Sequence, residues 1–284
     1  MFTISATKYF NGNDGVFTIG YANQDVEEVN GSTSSTINSS YGKHPNIDPN
    51  NPKPGTGMYQ TEHRLYATLK STHYFFGADK PTTFGLFFER RSGYPTSPVF
   101  ETDTGRPPYT TGAFGIEDGF NDDNANFLSY IPNGIADPKV CWGSCSNPDL
   151  EFAAQAMQYI KDLGLDRYAG QIAEKGSWQT PWNTTLDLKI TQILPGFRAD
   201  DEFVITLGIQ NLLNLIDDEK GEYTYPYYTR TFQIFDVEMT DLQGNQYKKY
   251  VLSKARGYDW GVVNTSATMS RWRAQLGFRY NFKF

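Results

Sequence analysis

The chain ends Trp272-Arg273-Ala274-Gln275-Leu276-Gly277-Phe278-Arg279-Tyr280-Asn281-Phe282-Lys283-Phe284. Its even positions are apolar or aromatic, and its odd positions carry Arg, Gln, Gly, Arg, Asn and Lys. Successive side chains of a strand point to opposite faces, so this stretch predicts a strand with one apolar and one polar, charged face. Half-buried strands of soluble sandwiches alternate too, but strands usually run only about 5–6 residues. A tilted strand that crosses a bilayer needs about 9–11. The alternation here is longer than that and runs to the final Phe284.

The same period recurs upstream. Phe17, Ile19 and Tyr21 alternate with Thr18, Gly20 and Ala22, and Leu65, Ala67 and Leu69 with Tyr66, Thr68 and Lys70. Phe84, Leu86 and Phe88 alternate less cleanly with Gly85, Phe87 and Glu89. Leu186, Leu188 and Ile190 alternate with Asp187, Lys189 and Thr191, and Phe203, Ile205, Leu207 and Ile209 with Val204, Thr206, Gly208 and Gln210. With Phe2–Phe10, the reading gives seven long strands. Short turns, Asn11–Gly15, Gly77–Pro81 and Pro195–Asp201, take turns with long polar stretches, Val29–Gln60, Gly93–Trp182 and Asp217–Ser270. Sorting connections by length in this way is the habit of outer-membrane barrels. A sandwich has no reason to do it, and long structureless loops are uncommon without a function.

Bulk composition agrees. The chain is 284 residues long, 38% hydrophobic and 15% aromatic, with 19 Tyr and 20 Phe. Its mean hydropathy of -0.55 is compatible with barrel strands, which are apolar only at alternate residues. No apolar run nears the roughly 20 residues of a membrane helix. A net charge of -7 without any Lys/Arg cluster argues against a nucleic-acid partner. Met1–Ala6 leads straight into strand-like sequence with no charged and apolar leader. The expectation is therefore that residues 1–284 form the C-terminal portion of a longer exported protein.

The long stretches hold structure of their own. Asn147, Pro148 and Asp149 predict a helix start, with Asn147 as cap and Phe152, Ala156, Tyr159, Ile160 and Leu163 as an apolar stripe packed on its own loop. Phe232–Thr240 and Gln246–Leu252 flank the turn Asp241–Asn245 as a hairpin. Cys141 and Cys145 sit four residues apart, and in an oxidising exterior a disulfide is the expected pairing. A metal site there would need further ligands, and no His lies close in sequence. His44, His63 and His73 match no catalytic spacing; His63 and His73 share a strand face about 33 Å apart. The acidic run Glu117–Asn124 offers oxygens to Ca²⁺ but lacks EF-hand spacing and reads as a solvated loop. No nucleophile elbow, P-loop or paired catalytic carboxylates stand out, so the reading is of a non-enzyme without a cofactor, catalytic residue or metal site.

These residues carry a resemblance. The ending from Ser270 to Phe284 resembles the closing strand of TonB-dependent receptors, and Gln275, Gly277, Tyr280, Phe282 and Phe284 are similar to the signal read by the barrel-assembly machinery. Ile209-Gln210-Asn211-Leu212-Leu213-Asn214 resembles the asparagine-containing segment before the final loop of these receptors. Glu89–Pro95 and Pro181–Leu188 are similar to the Oar-like subgroup, whose members begin with a carboxypeptidase-regulatory-like domain. The resemblance implies an all-β fold, with these seven strands the last of a 22-strand transmembrane barrel in the outer membrane of a Gram-negative bacterium. An odd number of antiparallel strands cannot close without a parallel seam, so an open, curved sheet is expected. The implied function is energy-coupled uptake of a large ligand captured by extracellular loops, its identity unspecified. The implied partners are outer-membrane lipid, the assembly machinery, and TonB through a plug and TonB box upstream. The alternative is a barrel that serves as an adhesin without transport. Arg273, Arg279, Asp187 and Lys189 are expected to face a plug or a water-filled lumen.

Overall fold

The computed structural model describes residues 1–29, 35, 44–47, 51–101, 127–198, 200–226, 231–243, 246–254 and 263–282. The chain is mostly β. Its largest sheet has seven strands: β1 (Phe2–Phe10), β2 (Gly15–Asn23), β3 (His63–His73), β4 (Thr82–Arg91), β5 (Asn183–Pro195), β6 (Glu202–Gln210) and β7 (Arg273–Asn281). They lie in sequence order, each antiparallel to the next, with β1 and β7 at the two edges. β7 is shorter than its alternating sequence predicts: Trp272 stays outside the ladder, and Lys283 and Phe284 lie outside the described residues.

Short turns gather at one end of this sheet. β1 passes to β2 through a 3₁₀ turn in which Asn11 and Gly12 take positive φ of 51° and 61°. Those are left-handed angles that Asn and Gly tolerate best. β3 passes to β4 through residues 74–81, with Gly77 at φ 127°. The Tyr74 hydroxyl donates to the Asp14 carboxylate at 3.2 Å and ties the first two turns together. The long connections all leave from the opposite end.

No register slip interrupts the six strand pairs, so rows of partners run straight across the sheet. One row reads Lys8, Phe17, Leu69, Leu86, Leu188, Ile209 and Ala274, and another Phe84, Ile190, Leu207 and Leu276. Because side chains alternate, these rows share one face, and Thr18, Thr68, Phe87 and Asp187 belong to the other.

The hydrophobic core is elsewhere. The long connections build a second, five-stranded sheet in the order Trp178–Gln179, Pro95–Glu101, Thr231–Gln243, Gln246–Lys254, Val140–Trp142. Thr231–Gln243 and Gln246–Lys254 pair antiparallel, as their hairpin pattern predicts; Asp241–Gln243, expected in the turn, belong to the first strand, and residues 244–245 lie outside the described ones. Pro95–Glu101 and Val140–Trp142 then add on in parallel. Helix α1 (Leu150–Asp162) lays Phe152, Ala153, Ala156 and Ile160 into a cluster with Phe100, Trp142, Phe232, Ile234, Phe235 and Leu252. The helix thus packs across connections, where the sequence suggested packing on its own loop. Its cap differs too. Asp149, not Asn147, is the extended residue before the first turn, and its carboxylate accepts from the Phe152 amide at 2.9 Å. Pro148 precedes the cap and never enters the helix. Of the buried hydrophobic residues only Val204 comes from β1–β7.

This division predicts separable stabilities. Phe235 meets Trp142 and Phe152 edge to face at 6.0 and 6.4 Å and is fully buried. Phe235→Ala should cost the loop layer about 3–5 kcal/mol, the usual price of a large core cavity. Hydrogen exchange should speed up over 150–163 and 231–237 and stay unchanged over 183–195; equal acceleration in both would show one cooperative unit.

Candidate functional site

Among the described residues, nothing covers the apolar face of β1–β7. On the edge strands Ile4, Leu276 and Phe278 are 58%, 58% and 63% exposed and Phe2 is exposed as well, as are Phe17 and Ile19 on β2 and Phe282 just past β7. On inner strands Leu65, Leu86, Leu188, Ile190 and Leu207 are only half-shaded, and none joins a core cluster. Soluble monomers rarely expose contiguous apolar patches beyond a few hundred Å².

Rings and polar tips bound this face at both ends. At the long-connection end Tyr21, His63 and Trp182 stack at 6.1 and 5.9 Å, and the Arg90 guanidinium lies 5.5 Å from the Trp182 ring. At the short-turn end His73, Phe75 and Phe84 cluster within 5.3–6.5 Å, and Phe197, Tyr280 and Phe282 form a second group. His63 and His73, the two ends of β3, lie about 33 Å apart along the strand.

The opposite face is polar and basic. Arg64, Lys70, Arg91, Lys189, Arg273 and Arg279 share it with only Glu89, Asp187 and Glu202, although the whole chain is acidic. Arg273, Arg279, Asp187 and Lys189 do share one face, as their positions predict. A hollow of about 580 Å³ opens between Phe87, Asp187, Lys189, Gln210 and Gln275. Glycines make it: a Cβ on Gly208 would meet nothing within 4 Å, and on Gly85 or Gly277 nothing nearer than 3.8 Å.

The five residues singled out at the C-terminus do not converge on one site. Gln275 and Gly277 line the polar hollow, whereas Tyr280 and Phe282 face the apolar side, and Phe284 lies outside the described residues. Tyr280 has an internal task. Its hydroxyl accepts from the Phe197 amide at 2.7 Å and donates to the Asp201 carboxylate at 2.8 Å, closing the β5–β6 turn.

Asn211 is the residue whose role spacing alone did not show. It is buried at φ 53°, and its amide donates to the Asp187 carboxylate at 2.8 Å. Its side-chain amide donates to the carbonyls of Gly221 at 2.8 Å and Ser270 at 2.6 Å. One residue therefore holds β5 through its backbone amide and both limbs of the last long connection through its side chain. The hint was present in the sequence, since Asn tolerates left-handed backbone and carries a donor. Its partners, 10 and 59 residues away, were not.

Within the loop layer Cys141 and Cys145 are joined by a disulfide, with Cα atoms 4.8 Å apart. Burial pushes the Asp137 carboxyl up, but amides of Asn133 and Lys139 and the Tyr130 hydroxyl outweigh it and hold it below the usual carboxylate range. His44 is buried, and neither ring nitrogen has a hydrogen-bond partner among the described residues. Burial, then the Lys175 ammonium, holds its affinity for a proton below the ordinary histidine value. Lys175 itself is buried against the carbonyls of Glu28 and Val29. No group of three or more metal-ligating side chains exists among the described residues, and the acidic run Glu117–Asn124 lies outside them.

Compared with protein-family models, curated proteins and solved structures, the chain matches none.

Two predictions follow from this geometry. Asn211→Ala strands two carbonyls and adds left-handed strain, so it should cost on the order of 2 kcal/mol or more and speed proteolysis within 212–269. Asn211→Gly keeps the backbone but not the amide and should be as cleavable; wild-type resistance of that variant would remove the latch. For His44 the sign is fixed by its lowered folded value. Above about pH 6.5 both states are neutral there; below it the unfolded chain takes up a proton that the folded one resists. The melting temperature of the loop layer should fall between pH 7 and 5, and His44→Gln should reduce that fall.

Proposed function

We propose that β1–β7 are part of the wall of a transmembrane β-barrel in a bacterial outer membrane, with the apolar face toward lipid. The observation that carries this reading is the uncovered apolar face bounded by aromatic girdles, in a chain that has placed its core elsewhere. A strand length of about 33 Å, tilted by about 45°, spans roughly 23 Å, close to the apolar band of about 25 Å in such barrels. Lys8 and Arg90, the charged residues on this face, stand toward its margins, where long side chains reach water. In lipid every backbone group must be paired. The outer edges of β1 and β7, which run in the same direction, are therefore met by further strands rather than by each other.

Within that frame the protein acts as a TonB-dependent receptor of the Oar-like kind. The loop layer captures a ligand outside, the polar face lines the lumen around a plug, and the inner membrane supplies energy through TonB. The resemblance of the last strand and of the Asn211 segment supports this, as does the separation of short turns from long connections. The loop layer, with its own core, equally suits a surface adhesin. Deleting the TonB partner in the native host would separate the two, since adhesion survives that loss and uptake does not.

Side-chain direction tests the membrane reading. Leu207 sits mid-row on the apolar face and Thr206 on the polar face. Leu207→Arg should impair assembly by about 2–4 kcal/mol, the cost of Arg on the lipid face near the midplane. Thr206→Arg should assemble normally. The readout is the fraction of protein in the outer-membrane pellet that resists protease. Normal assembly of Leu207→Arg would overturn the reading.

A further inference from the structure

Arg64 in β3 and Arg91 in β4 are direct cross-strand partners on the polar face. Like charges so placed repel one another and are destabilising. Glu89 serves both: its carboxylate is 3.0 Å from the Arg64 guanidinium and 3.9 Å from that of Arg91. One carboxylate shared by two guanidinium groups leaves one positive charge in excess.

The two arginines are held differently. Arg91 lies 5.4 Å from the Tyr94 ring and 5.5 Å from the Tyr223 ring, and donates to the Tyr223 hydroxyl at 2.8 Å. Such stacking fixes the planar fork in advance of any ligand. Arg64 lies over the Tyr66 ring at 5.6 Å, but its side chain remains 48% exposed. A fixed guanidinium beside an open one, with phenol hydroxyls at 3.5 Å from each other on Tyr94 and Tyr223, makes a half-built cradle for an oxyanion. Guanidinium groups match the planar, two-oxygen edge of a carboxylate or phosphate.

Position argues for a solute. Arg91 ends β4, and Tyr223 comes from the last long connection. The cluster thus stands where the polar wall meets the loop layer, at the end from which a captured molecule would enter. The rest of that wall is also rich in cations, which favours anions along it.

We infer that Arg64 and Arg91, with Tyr94 and Tyr223, form a subsite for the carboxylate or phosphate group of a small anionic solute. The inference rests on the polar face being the lumen wall. The ligand class it assigns is therefore an anion, not a neutral sugar.

The test is calorimetric titration of the detergent-extracted protein with citrate, with inorganic phosphate and with glucose. Citrate or phosphate should bind saturably, the stronger of the two naming the oxyanion, and glucose should not. Arg64→Gln should weaken that binding by about tenfold or more, the loss of a charged hydrogen-bonding partner. Arg279→Gln, on the same face but at the short-turn end, should leave it unchanged. Should Arg64→Gln fail to fold, Arg64→Lys keeps the charge, loses the fork and should weaken binding less. Equal weakening by Arg64→Gln and Arg279→Gln would mean diffuse attraction to a basic wall and would overturn the subsite, as would absence of binding by either anion. These failures leave the Leu207→Arg result untouched, so the subsite and the membrane reading fall separately.

Discussion

A strand cannot choose which way its next side chain points, and β1–β7 never slip register against one another. Each residue's polarity is therefore copied into a row across the sheet, and the rows add up to two continuous surfaces. One is apolar, with no layer packed on it among the described residues; the other is polar and basic. In water the first surface would be a standing cost. The arrangement makes sense where the surroundings are apolar and backbone pairing is the only source of hydrogen bonds. On the proposed membrane reading, girdles, turn placement and the margins held by Lys8 and Arg90 all answer to that constraint.

The long connections solve the opposite problem. They are polar in composition and stand off one end of the sheet, yet they contain the fully buried Trp142, Phe100 and Phe235. Strands from two separate connections, the one between β4 and β5 and the one between β6 and β7, enter one mixed sheet, and α1 seals its side. Specific anchors join the two parts: Asn211 joins Asp187 to Gly221 and Ser270, the Asn183 side chain exchanges two hydrogen bonds with the Thr224 backbone, and Arg91 donates to the Tyr223 hydroxyl.

The seven strands were legible because a two-residue period over nine or more positions has few other meanings, and because Asn-Gly and Gly-rich turns separated them. The loop sheet was not. Pro95–Glu101 pairs in parallel with Thr231–Asp236 across more than a hundred residues, and no local pattern announces such a partner. Only its hairpin, Thr231–Gln243 with Gln246–Lys254, was visible. Asn147 looked like a cap because Asn-Pro often opens a helix, but the carboxylate of Asp149 reaches the third amide and wins. Tyr280 drew attention as part of a terminal signal, while its bonds to Phe197 and Asp201 depend on a turn 80 residues earlier. The basic pair Arg64 and Arg91 was invisible for the same reason, since only the register makes them neighbours.

Parallel pairing in the loop layer also limits how it can move. Thr231–Gln243 is flanked by Pro95–Glu101 on one side and Gln246–Lys254 on the other, and the latter holds Val140–Trp142. Neither of the two connections that build this sheet can swing aside without breaking ladders that belong to the other. Displacing this sheet therefore means moving Pro95–Glu101, Thr231–Gln243, Gln246–Lys254 and Val140–Trp142 together as one stiff plate, not as independent fingers.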